Sequence, residues 1–163
     1  MLKSIIPLFV ALLALAGCND AATPKEGVKY KVVAETVENA APVIEVFSLA
    51  CGHCRSMETM LPEIEKLAGV DIDKVHVTFN KSAQVAAYIY YTVAIQSDGA
   101  PAAALMESLF AYVQDTGDTV TEDERKTQLT KIFATHNLTS PFELTEEQHK
   151  QVYQKLTEAE QVV

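Results

Sequence analysis

Two cysteines separated by two residues, Cys51-Gly52-His53-Cys54, close one apolar run and open another of a different period. Residues 43–49 are apolar apart from Glu45 and Ser48, which is the composition of a strand buried on both faces. Residues 55–68 carry Met57, Met60, Leu61, Ile64 and Leu67 at helical spacing, which predicts a helix with one apolar face. Pro62 predicts a kink or break inside it, and Gly69 a stop. The cysteine pair therefore sits at a strand-to-helix turn, spaced to close a small disulfide ring, and reads as redox machinery.

A thiol attacks only as the thiolate, and a free cysteine titrates near about 8.5. At a helix start, unpaired backbone N–H groups and the helix dipole favour negative charge. His53 adds a donor or a partial positive charge. Both effects lower the pKa of Cys51, and a stabilised thiolate makes the corresponding disulfide a stronger oxidant. Cys54 lies one turn further in and suits a resolving role. Two blander readings stand beside this one. A CxxC can be half of a zinc site, but a closed site needs four ligands. The remaining candidates are His53, His76, His136 and His149, with no second CxxC and no HxxxH. His76 and His136 read as a strand residue and a helix-end residue, and no metal is expected. A purely structural disulfide across two residues would be strained. Glu45 is either a partly solvated strand carboxylate or a buried acid that moves protons as thiols form and break near the pair.

The N-terminus reads as a targeting segment. Lys3 precedes an apolar stretch at residues 5–16, short for a permanent bilayer span. Leu15-Ala16-Gly17-Cys18 is similar to the lipobox of bacterial lipoproteins, in which cleavage precedes a cysteine that then carries lipid. An ordinary secretory signal cut after Ala16 is the alternative. On the first reading residues 1–17 are a signal peptide and 18–27 a polar tether, and the chain is periplasmic and anchored to a membrane through lipid on Cys18. Thiols outside the cytosol are expected to oxidise, and lipid on Cys18 would leave Cys51 and Cys54 as the free pair. The 163 residues suit one domain, and 48% hydrophobic content is enough for a packed core. A net charge of −9 with no basic stripe argues against nucleic acid as a partner.

Elsewhere, weak alternation at residues 28–33 predicts a short edge strand, and the apolar run at residues 75–79 a second strand. Strand, helix and strand together predict a parallel βαβ unit. Residues 83–95 contain no charge, which predicts a helix buried on most sides. After a break at Gly99-Ala100-Pro101, residues 102–114 place Leu105, Met106, Leu109, Phe110 and Val113 on one face. Thr121 with Glu124, and Thr145 with Gln148, read as capping boxes opening two more helices. These run to about residues 136 and 161, with Leu129, Ile132 and Phe133, then Val152, Leu156 and Ala159, facing inward. Asn137 closes the first of them.

The run from Val43 through Cys54, followed by residues 75–80 and the helical block, resembles the DsbA family of bacterial thiol–disulfide oxidoreductases. The resemblance implies an α/β, thioredoxin-like fold with an inserted helical domain. Residues 28–80 would be the thioredoxin-like N-terminal part, 81–148 the insert, and 149–163 a connecting helix. It implies Cys51 as nucleophile, Cys54 as resolving thiol, His53 as tuning residue and Glu45 as buried acid. No cofactor is implied beyond the Cys51–Cys54 disulfide. The implied partners are exported proteins with free thiols and a membrane redox partner that resets the pair. The Gly52-His53 dipeptide, where many DsbA proteins have Pro-His, leaves oxidase against isomerase or reductase open. The family continues past its last insert helix with a cis-proline loop, a hairpin and a final helix, whereas this sequence stops at Val163. Pro141 does not substitute, because no β-run follows it. The resemblance thus implies a truncated chain of impaired stability and activity, an inactive lipoprotein being the alternative.

Overall fold

Phe47 and His76 lie side by side at the ends of the two strands around which the described residues are arranged. β1 (Ile44–Phe47) and β2 (Asp73–His76) form a two-stranded parallel sheet, with Glu45 opposite Lys74 and Phe47 opposite His76. The computed structural model describes residues 25–27, 43–97, 101–117 and 119–162. The edge strand expected at residues 28–33 and Cys18, where lipidation is expected, lie outside the described residues. Residues 25–27 belong to a separate unit and make a turn in which Gly27 takes φ 78°.

The crossover between the strands contains two helices, α1 (Gly52–Glu58) and α2 (Leu61–Ala68). The kink or break expected at Pro62 is a full break. Proline has no N–H to donate to the Glu58 carbonyl, so α1 ends there and α2 restarts with Pro62 in its first turn. Gly69 stops α2 in the left-handed conformation, at φ 67°. The apolar stripe expected to face inward mostly does not. Leu61 is buried, but Met57, Met60 and Leu67 are exposed, Leu67 at 79%. β2 begins two residues earlier than the apolar run suggested, because the polar Asp73-Lys74 pair joins the ladder opposite Ile44 and Glu45.

Four helices follow: α3 (Lys81–Ala94), α4 (Ala103–Asp115), α5 (Glu122–Thr135) and α6 (Glu146–Val162). Helix α3, free of charge after Lys81, is the centre of the core, burying Ala83, Ala86, Ala87, Ile89, Tyr90, Tyr91, Thr92 and Val93. Asn80 caps its start by accepting the Ala83 N–H at 2.9 Å. Leu105, Met106, Leu109 and Phe110 of α4, Leu129 and Phe133 of α5, and Val152 and Ala159 of α6 complete the core, with Val113, Ile132 and Leu156 half-buried against it. Both capping boxes form as the sequence implied: Thr121 with Glu124, and Thr145 with Gln148. Asn137 follows α5 at φ 58°, the left-handed conformation that asparagine tolerates. In packing terms α6 lies on α3 and β2, α4 on α5, and α1 on α4. The described residues are thus mixed α/β and mostly helical. Among them no helix is long and apolar enough to cross a membrane.

Candidate functional site

The turn that delivers Cys51 is held by hydrogen bonds from outside itself. Leu49 is fully buried, and its N–H donates to His76 Nε2 at 2.9 Å. Its carbonyl accepts from Gln114 Nε2 of α4 at 2.8 Å. The Cys51 N–H donates to the Ser48 carbonyl at 3.0 Å, closing the turn. Cys51 then serves as the N-cap of α1 in an extended conformation, and its sulfur accepts the Cys54 N–H at 3.3 Å. Both cysteines are free and half-buried.

The two thiols differ. Cys51 is held below the usual thiol range by a hydrogen bond from the Cys54 thiol, by the Cys54 backbone N–H, and by that of His53; burial and the negative charge of Glu45 oppose this. Cys54 is pushed up, first by burial and then by donating to Cys51. One sulfur is therefore set to attack or leave as a thiolate while its neighbour keeps its proton. The tuning assigned to His53 comes from its backbone: its side chain is exposed and makes no hydrogen bond among the described residues.

Glu45 is partly buried and close enough to raise both thiols through its charge. It makes no hydrogen bond to either sulfur. Its carboxylate instead meets Lys74 Nζ at 2.8 Å, and Lys74 also meets Glu58 at 2.6 Å. Lys74 lies 5.5 Å from the Phe47 ring centroid. A carboxylate–ammonium–carboxylate group thus sits under the cysteine helix. Sequence reading missed Lys74 and Glu58. A usable sign existed: Glu58 is one helical turn beyond Cys54, and a parallel register starting at residue 73 puts Lys74 opposite Glu45.

His76 was read as a strand residue, and it is one, with a further task. Its ring is fully buried, edge-on to Phe47 at 5.0 Å. Because Nε2 accepts from Leu49, the proton sits on Nδ1, which donates to the Val77 carbonyl at 2.7 Å. Burial holds its pKa below the usual histidine value, so the ring is neutral. His136 is the C-cap residue of α5, as expected of a helix end. Among the described residues no three His, Cys, Asp or Glu side chains gather as a metal site. No protein-family model matches the chain, and no curated protein matches it.

Proposed function

We propose that the protein is a thioredoxin-like, DsbA-like thiol–disulfide oxidoreductase, exported and held at a membrane by lipid on Cys18, that exchanges its Cys51–Cys54 disulfide with substrate proteins. The observation that carries the reading is the asymmetry of the thiols: Cys51 lowered by donors converging on its sulfur, Cys54 raised by burial, both at one strand-to-helix turn. The parallel strand–helix–strand arrangement around that turn supports the fold assignment.

In the exchange, a substrate thiolate attacks Cys51 Sγ of the disulfide. The Cys51–Cys54 bond breaks, a mixed disulfide forms at Cys51, and Cys54 leaves and takes up a proton. A second substrate thiolate then attacks the substrate sulfur of the mixed disulfide and releases Cys51 as a thiolate. Two electrons pass from the substrate dithiol to the cysteine pair, and a membrane redox partner removes them again. Glu45, beside the pair and ion-paired to Lys74, takes part in the proton movements.

The test is single-turnover oxidation of a dithiol peptide by the oxidised protein, followed by mass. Stoichiometric peptide disulfide with loss of the Cys51–Cys54 bond is expected, and a Cys54→Ala variant given the disulfide form of the peptide should trap a mixed disulfide at Cys51, one peptide sulfur leaving as the thiolate. Failure to react over hours at neutral pH would remove the proposal. Refolding of a scrambled substrate by the reduced protein separates an isomerase from an oxidase.

A further inference from the structure

Helix α4 reaches the cysteine loop on both of its flanks. On the upstream side, Gln114 Nε2 donates to the carbonyl of Leu49, two residues before Cys51, at 2.8 Å. On the downstream side, Arg55, the residue after Cys54, bridges two carboxylates of the same helix. Its Nε lies 3.1 Å from Glu107, its Nη2 also bonds Glu107, and its Nη1 lies 3.0 Å from Asp115. Residue 107 lies about two helical turns before 114 and 115, and 107 and 114 share one face of α4. The planar guanidinium fork gives the bridge a fixed geometry that a lysine would not supply.

These contacts enclose the groups that matter to the sulfur. The donors to Cys51 Sγ are the Cys54 thiol and the backbone N–H groups of Cys54 and His53, and their distance from the sulfur depends on how the Leu49–Ala50 turn enters α1. His76 fixes the Leu49 N–H from β2. Among the described residues the Leu49 carbonyl accepts only from α4, and the Arg55 side chain bonds only residues of α4. We infer that α4 is the positioning element of the cysteine loop, with Gln114 and the Glu107–Arg55–Asp115 bridge holding Cys51 Sγ against its backbone donors. The inference rests on the thiol-exchange reading above and adds to it residues that never touch substrate. Helix α4 is thereby part of the device that sets cysteine reactivity, although it carries no cysteine.

The experiment compares alkylation of Cys51 by iodoacetamide at pH 6 to 7 in the reduced full chain, with urea unfolding measured alongside. Gln114→Met keeps the shape of the side chain and removes the donor; it should slow alkylation about tenfold, by weakening hydrogen bonds to a charged sulfur. E107Q/D115N, on exposed positions, should slow it about threefold. Val152→Ala, a core cavity in α6, which makes none of these hydrogen bonds, controls for general loosening and should leave the rate unchanged. Wild-type rates in both α4 variants overturn the inference, as does equal slowing in V152A. If Q114M does not fold, E107Q/D115N decides alone. If wild-type Cys51 itself reacts as slowly as a free cysteine, the thiol-exchange reading falls and this inference with it.

Discussion

Replacing Lys74 by methionine removes the one cation from between two carboxylates while keeping most of the side-chain volume. The side chains of Lys74, Glu45 and Glu58 are only 9%, 13% and 12% exposed, so water cannot readily take the place of the ammonium. At contacts of 2.8 and 2.6 Å each pair gains about 6 kcal/mol gross at an effective dielectric near 20. Burying the ions costs several kcal/mol each, so the net worth of the group is far smaller than that sum. The variant, however, bears the burial without the attraction, and removing one partner of such a pair costs about 3–5 kcal/mol. With a urea slope of about 2 kcal/mol per molar, the unfolding midpoint falls by about 2 M. Neutralising both acids as well, in K74M/E45Q/E58Q, should recover much of the loss. A K74M midpoint within about 0.3 M of wild type would refute the reasoning, because the three side chains would then be too well hydrated to matter. K74M should also slow Cys51 alkylation, since the charge of Glu45 that already raises both thiols would stand unbalanced beside them.

Four further outcomes follow from the structure around the cysteine loop. Alkylation of the reduced protein against pH should show Cys51 reacting with a midpoint below that of a free cysteine, and Cys54 modified only at higher pH; equal reactivity of the two sulfurs contradicts the hydrogen-bond assignment. His76→Leu should cost about 1–3 kcal/mol in urea unfolding by orphaning the buried Leu49 N–H, whereas His76→Gln, which offers an acceptor, should cost less; similar losses in both would point to packing instead. His76 also gives a pH dependence: its folded pKa is depressed, so the unfolded chain binds its proton more readily, and its contribution is full above about pH 6.5 and is lost as pH falls toward the folded value. The H76Q midpoint should therefore decline less than wild type between pH 7 and 5. Finally, a Cβ at Gly52 meets nothing within 4 Å and its φ is not positive, so Gly52→Ala should stabilise by about 0.4–1 kcal/mol; a lower midpoint would show a conformational demand for glycine.

What could be read from the residues was set by local rules. A charge-free segment became the buried α3, two Thr-x-x-acid or amide patterns became reciprocal caps, and Pro62 cut a helix for want of one N–H. The cysteine motif lies where a strand run meets a helical one, and it does so in the fold. What periodicity could not show is which stripe this chain covers: Met57, Met60 and Leu67 have helical spacing yet stay exposed, while Leu61 alone in that set is buried. The start of β2 was missed because Asp73-Lys74 looks like loop until its partners across the sheet are known. For the same reason the ties around the cysteine loop were invisible. His76, Gln114, Lys74 and Glu58 lie far from it in sequence or on unremarked helix positions, and only the register of β1 on β2 and the packing of α1 on α4 bring them together.

The account turns on Cys51 being a stabilised thiolate whose disulfide is an exchanging one. The equilibrium of the Cys51–Cys54 pair with glutathione, quenched with acid and counted by mass tag, measures that directly. A stabilised thiolate favours the reduced form, so the predicted potential is more positive than about −270 mV. A value below about −300 mV, the range of structural disulfides, would contradict the central claim.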